Sequence, residues 1–181
     1  MFMSDTIYLN LNENDRFSNK VPYNGILFAN KISQKYPLHK TERSAPIMGR
    51  LRSVKEKEEI ALIKQACDIT NGAFRRVLNF VKPGVEEYEI EAEVTHEFVK
   101  NKSRGHAYTP IIASGYNACV LHYIENKATC RDGEVILFDF GADYANYAAD
   151  MSRSIPVNGR FTTRQRAVYN AVLHVKNEAT K

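Results

Sequence analysis

The chain has 181 residues, enough for one large domain or parts of two, and 44% of them are hydrophobic, ample for the core of a globular fold. Its 25 basic and 21 acidic residues leave a net charge of +4, too mild to imply a nucleic-acid partner when no basic run is interleaved with aromatics. No apolar stretch approaches the ~20 residues of a membrane helix, and Met1-Phe-Met-Ser-Asp5 lacks the charged and apolar regions of a signal peptide, so no membrane partner and a cytoplasmic location are expected.

Thr6-Ile-Tyr-Leu-Asn-Leu11 alternates as a strand, and the polar Asn12-Glu-Asn-Asp-Arg16 reads as a loop. After Pro22, the apolar Ile26, Leu27, Ala29 and Ile32 predict a short helix that stops before Pro37. One strand and one helix enclose no core of their own. Residues 1–50 are therefore expected to be the C-terminal remnant of an N-terminal α/β domain, with 43–52 as the link into a second domain over 51–181.

From Lys55 to Val81 the residues Ile60, Ile63, Ala66, Cys67, Ala73, Phe74, Val77 and Leu78 follow helical spacing, with Ser53 as a candidate cap. Lys82-Pro83-Gly84 breaks this helix. A second one over Val85–Lys100 puts Ile90, Val94 and Phe98 on one face and acids on the other. His96 within it takes no role. Residues 106–114 and 118–123 read as two strands around a Gly115-Tyr-Asn117 turn, the second burying Val120 and His122 on one side. On spacing alone, His122 is either a satisfied core imidazole or a site residue. Cys67, Cys119 and Cys130 show no CxxC spacing and indicate neither a disulfide framework nor a zinc site.

The run 134–140 is large and apolar between Asp132-Gly133 and Gly141, the pattern of a buried strand, and 146–154 is a second, more polar extended run. If the chain reverses about Tyr144-Ala145, Asp139 stands directly opposite Asp150, and the two acids share one face. Like charges so placed destabilise a sheet unless something positive lies between them, and a hard divalent metal is the simplest such partner. The alternatives are that one acid faces solvent or that Arg153 pairs with Asp150. Beyond Pro156-Val-Asn-Gly159, Thr162-Thr163 caps a last helix with Ala167, Val168, Ala171, Val172 and Val175 on its apolar side.

Three motifs in order carry a family resemblance: Asn117-Ala-Cys-Val-Leu-His-Tyr-Ile-Glu-Asn126, Asp132-Gly-Glu-Val-Ile-Leu-Phe-Asp-Phe-Gly-Ala142 and Tyr147-Ala-Ala-Asp-Met-Ser-Arg-Ser-Ile-Pro-Val-Asn-Gly-Arg-Phe161. Together they resemble the Xaa-Pro aminopeptidases (aminopeptidase P) of the pita-bread metallopeptidase family M24, and the run from Leu121 to Asn126 is more similar to these than to prolidases or methionine aminopeptidases. The resemblance implies an α+β fold, the first half of a pita-bread domain, with an antiparallel sheet and covering helices. It implies a pair of divalent metal ions, usually manganese, with Asp139 matching the aspartate that chelates one ion and Asp150 the aspartate that bridges both. His122 matches a histidine that contacts substrate and helps proton transfer without binding metal. The implied reaction is hydrolysis that releases the first residue of a peptide with proline second, through metal-activated water. A homo-oligomer is implied for the full-length parent.

Two of five family ligands match. The remaining histidine and two glutamates belong to the second half of the fold, so the chain is expected to be truncated at both ends and inactive alone. His174 and Glu178, four apart on the last helix, are rejected as substitutes because such pairs are common on surface helices. A non-catalytic binding module of the same fold, a prolidase and a metal-free creatinase-like hydrolase are the alternatives. Retention of Asp139, Asp150 and His122 favours the peptidase over the binding module.

Overall fold

The computed structural model describes residues 4–11 and 23–181, so the expected loop at 12–16, Pro22 and the first three residues lie outside the described residues. The chain divides into two compact units, Met1–Glu56 and Lys57–Lys181.

In the first unit, β1 (Thr6–Leu9) is followed by α1 (Asn24–Lys35), β2 (Lys40–Arg43) and α2 (Ala45–Ser53). The strands β1 and β2 pair in parallel from Thr6↔Lys40 to Leu9↔Arg43. Parallel neighbours need a crossover, which α1 supplies. The expected helix after Pro22 is present. The sequence reading did not find β2, because Lys40-Thr-Glu-Arg43 has no apolar alternation and is a strand only through its backbone pairing. The expected link at 43–52 is largely helical, with Pro46 in the first turn where its missing N–H costs nothing. Ser53 ends α2 and donates to Gly49 O at 2.6 Å, so it does not cap the next helix.

The second unit begins with α3 (Lys57–Phe80) and α4 (Glu87–Lys100), on either side of the break at Pro83-Gly84. The buried stripe of α3 is Ala66, Ile69, Thr70, Ala73 and Val77. Ile60, Cys67 and Leu78, which share the helical spacing, are exposed because they lie roughly 100° or more around the helix from that stripe. On α4, Ile90, Val94 and Phe98 are buried as expected, but so is Glu87, although the acids were expected on the outer face.

Two antiparallel three-stranded sheets follow. One has the order β3 (Gly105–His106), β6 (Ala142–Tyr144), β7 (Tyr147–Ala148), and the other β4 (Ile111–Ser114), β5 (Val135–Phe140), β8 (Met151–Pro156). On β5, Ile136, Phe138 and Phe140 are buried in a core cluster with the residues of α3 and α4, whereas Val135, Leu137 and Asp139 take the opposite, half-buried face. The expected strand over 106–114 is split into β3 and β4 around Tyr108-Thr109-Pro110, where proline has no N–H to give a ladder.

The expected strand over 118–123 does not exist. Gly115–Cys119 forms a 3₁₀ turn, Gly115 adopts φ +54, and Val120 and His122 are exposed rather than buried. Side-chain bonds described below hold this segment against α4 in place of a ladder.

The last helix, α5 (Thr163–Ala179), starts as expected. The Thr162 hydroxyl accepts from Gln165 N at 3.2 Å, and Gln165 Oε1 accepts from Thr162 N at 2.8 Å. Its apolar side is not buried, Val172 being 64% exposed, and it borders an open groove of about 670 Å³ shared with Leu137 of β5 and Ser154 of β8. No helix among the described residues is long and apolar enough to cross a membrane, and all three cysteines are free thiols.

Candidate metal centre

Asp139 sits near the end of β5, paired with Ile111 on β4 and with Ser152 on β8. Asp150 lies in the break between β7 and β8. The hairpin that connects them turns at Ala145-Asn146, where φ is 51° and 66°, with Tyr144 opposite Tyr147. Two consecutive positive φ values mark a type I′ turn, whose twist suits a tight hairpin, and the Asp143 carboxylate accepts from Asn146 N at 3.1 Å. This turn lies one residue later than the sequence suggested. Asp139 is consequently opposite Ser152, and the two acids are diagonal rather than directly opposed. A slip of the turn centre moves every partner by two residues and so keeps each side chain on its face.

The acids still converge. The Tyr108 hydroxyl lies 2.6 Å from Asp139 Oδ1 and 3.0 Å from Asp150 Oδ1, which sets the two carboxylates within about two hydrogen-bond lengths of each other. Tyr108 comes from the irregular segment between β3 and β4, and the break that forms this segment is what lets the phenol reach across. Burial, then the hydrogen bonds to Asp139 and Asp150, push ionisation of the phenol far above its ordinary range. It remains a neutral donor with one proton for two acceptors. The deficit is of positive charge, and an oxygen-only donor set suits a hard divalent cation. Among the described residues no group of three or more His, Cys, Asp and Glu side chains gathers to complete such a site.

Gly141 controls the approach of the two aspartate-bearing segments. A Cβ at this position would lie 1.7 Å from Ala149 O and 2.5 Å from Ala149 C, both backbone atoms that cannot swing aside. Ala149 N donates to Ala142 O at 2.9 Å, and Ala142 N donates to the buried Thr70 hydroxyl of α3 at 3.0 Å. The hairpin is thus tied to the core at the position where it passes from one sheet to the other.

His122 occupies an exposed turn at φ 55 and makes no hydrogen bond to Asp139, Asp150 or Tyr108. Arg153 donates to Ser152 O at 2.7 Å and forms no ion pair with Asp150 among the described residues. Glu178 pairs with Lys181 at 2.9 Å on α5. Sequence reasoning missed Tyr108 because a tyrosine in an apparent strand carries no signal of its own. It missed Glu87 because periodicity placed the acids of α4 outside.

The model of metallopeptidase family M24 matches residues 61–181. The Xaa-Pro aminopeptidase of Escherichia coli (strain K12) is 43% identical over 128 residues, which cover 71% of this chain and 29% of that protein. The Xaa-Pro dipeptidase of Rattus norvegicus is 39% identical over 133 residues, covering 71% of this chain and 27% of that protein. Proline aminopeptidase P II from Yersinia pestis superposes with a TM-score of 0.80 at 35% identity, covering 97% of this chain and 40% of that one. The chain therefore spans less than a third of the length of the two sequence relatives. Its antiparallel sheets backed by helices are the α+β pita-bread architecture of aminopeptidase P. With the match covering most of its length, the chain belongs to metallopeptidase family M24.

Proposed function

We propose that the chain contributes Asp139 and Asp150 to the two-metal centre of an aminopeptidase that releases the first residue from peptides with proline second. The observation that carries this is the convergence of both carboxylates on the Tyr108 hydroxyl, together with the likeness to Xaa-Pro aminopeptidases. Asp139 and Asp150 would both hold the divalent metal, with manganese the expected ion. Bound metal supplies Lewis-acid activation of water and of the peptide carbonyl. His122 contacts the substrate and moves a proton, Tyr108 holds the two aspartates in register, and the hairpin keeps them on one face.

The whole enzyme, its substrates and its assembly as a homo-oligomer belong to the same proposal, as does its dependence on further ligands from the family's second half. Two carboxylates alone hold a divalent ion weakly, so the 181-residue chain by itself is inactive. Purified chain with manganese should release no residue from a tripeptide beginning Xaa-Pro. The completed enzyme, this chain together with the family's second half, should do so. Release by the chain alone, or none by the completed enzyme, contradicts the proposal.

The likeness to a rat Xaa-Pro dipeptidase favours a second reading, prolidase. Cleavage of an Xaa-Pro dipeptide in preference to the tripeptide selects it.

A further inference from the structure

Glu87 is 0% exposed, yet its carboxylate is fully engaged. Oε1 accepts from Ser114 N at 2.7 Å, from the Ser114 hydroxyl at 2.8 Å and from Asn117 Nδ2 at 3.4 Å. Oε2 accepts from the Tyr123 hydroxyl at 2.8 Å and from Ala128 N at 3.0 Å. Burying a carboxylate is costly unless its lone pairs are satisfied, and five donors converge on this one. All five come from the segment 114–128, in which only Ser114, the last residue of β4, belongs to a strand, and which carries His122.

A second set of bonds pins the same segment. Asn126, buried, accepts from Ile112 N at 3.0 Å and donates to Glu91 Oε2 at 2.8 Å and to Pro110 O at 3.0 Å. His122 and Asn126 both have positive φ, 55° and 45°, which non-glycine residues hold only where the surroundings over-determine them. The Tyr123–Glu87 bond acts on the residue next to His122. Among the described residues no side-chain bond of His122 fixes its own position, so the geometry of the turn depends on these anchors.

We propose that Glu87 is a positioning residue that holds the turn carrying His122 against α4 and thereby sets the place of the imidazole in the reaction. This rests on the proposed role of His122 at the metal centre. Glu87 acts through Tyr123, Ser114 and the backbone of Ala128, and it touches neither substrate nor metal.

A double-mutant comparison in the completed enzyme, with a tripeptide beginning Xaa-Pro, separates this role from plain structural support. Glu87→Gln and Tyr123→Phe should each lower kcat about 10- to 100-fold with little change in KM, the scale of a misplaced catalytic group. In a His122→Ala background, neither should lower kcat further, because the group that they position is gone. If both variants cut kcat by the same factor in the two backgrounds, or if neither lowers kcat while His122→Ala does, Glu87 is not a positioning residue. If His122→Ala leaves kcat unchanged, the proposed role of His122 fails, and that of Glu87 with it. Tyr123→Phe removes only one hydroxyl, so it keeps the comparison decisive should Glu87→Gln fail to fold.

Discussion

Tyr108 gathers the two aspartates with a single proton, and a second half-buried ring, His106, shows how local burial sets pH behaviour in the same segment. The Thr95 hydroxyl donates to Glu91 O at 2.9 Å, so its oxygen accepts from His106 Nε2 at 2.8 Å. Nδ1 is then the unprotonated nitrogen, and it is buried with no hydrogen-bond partner among the described residues. Phe98 packs edge-on with ring centroids 5.0 Å apart. Burial lowers the pKa of His106 from 6.5, opposed only in part by the charge of Glu91, because a proton added at Nδ1 finds no acceptor. The folded state then binds fewer protons than the unfolded one below pH 6.5, and the stability that His106 contributes is complete above that value and lost as pH falls. The urea midpoint of the chain should therefore drop between pH 7.5 and pH 5.5, and drop less in His106→Gln. An equal drop in both proteins contradicts this account.

The residue types were legible in part. Asp139, Asp150 and His122 stand out in the sequence through their motifs, whereas Tyr108 and Glu87 matter through contacts with residues that lie tens of positions away along the chain. No local period records such contacts.

Among the elements, the hairpin depends on Gly141 more than on any apolar residue. Its neighbour across the break is backbone, 1.7 Å from where a Cβ would stand, so Gly141→Ala must part β6 from β7 or unseat Ala149. A loss of more than about 2 kcal/mol in chemical unfolding is expected, with faster hydrogen exchange at Ala149 N, which donates to Ala142 O. Unchanged stability and exchange would show that the strands tolerate the methyl group.

The helices were legible because α3 and α4 each bury a stripe at a helical period. The hairpin strands were legible from the apolar run of β5, but the register was not: Ala145 at positive φ is unusual for a residue with a Cβ, and nothing in Tyr144-Ala-Asn-Tyr147 announces the turn centre. The segment 118–123 misled because Ala-Cys-Val-Leu is a short apolar run of the kind a buried strand carries. Within it the Tyr123 hydroxyl donates to the Glu87 carboxylate, and no ladder forms.

For the whole molecule, the same balance of finished and unfinished surfaces recurs. One face of β5 closes a core with α3 and α4, while the face that carries Asp139 also carries Val135 and Leu137, which border the open groove beside α5. Leu173 and Val175 are exposed on that helix. In the proposed function the two carboxylates are a partial donor set, and among the described residues no group of three or more His, Cys, Asp and Glu side chains gathers there. Activity is therefore expected of the completed enzyme and not of this chain by itself. The central claim is that Asp139 and Asp150 are metal ligands, and elemental analysis of the completed enzyme, wild type against Asp139→Asn and Asp150→Asn, tests it most directly. The account predicts that each variant folds, loses bound divalent metal and cuts release of the first residue from an Xaa-Pro peptide by more than about 100-fold. Wild-type metal content and wild-type hydrolysis in either variant would contradict it.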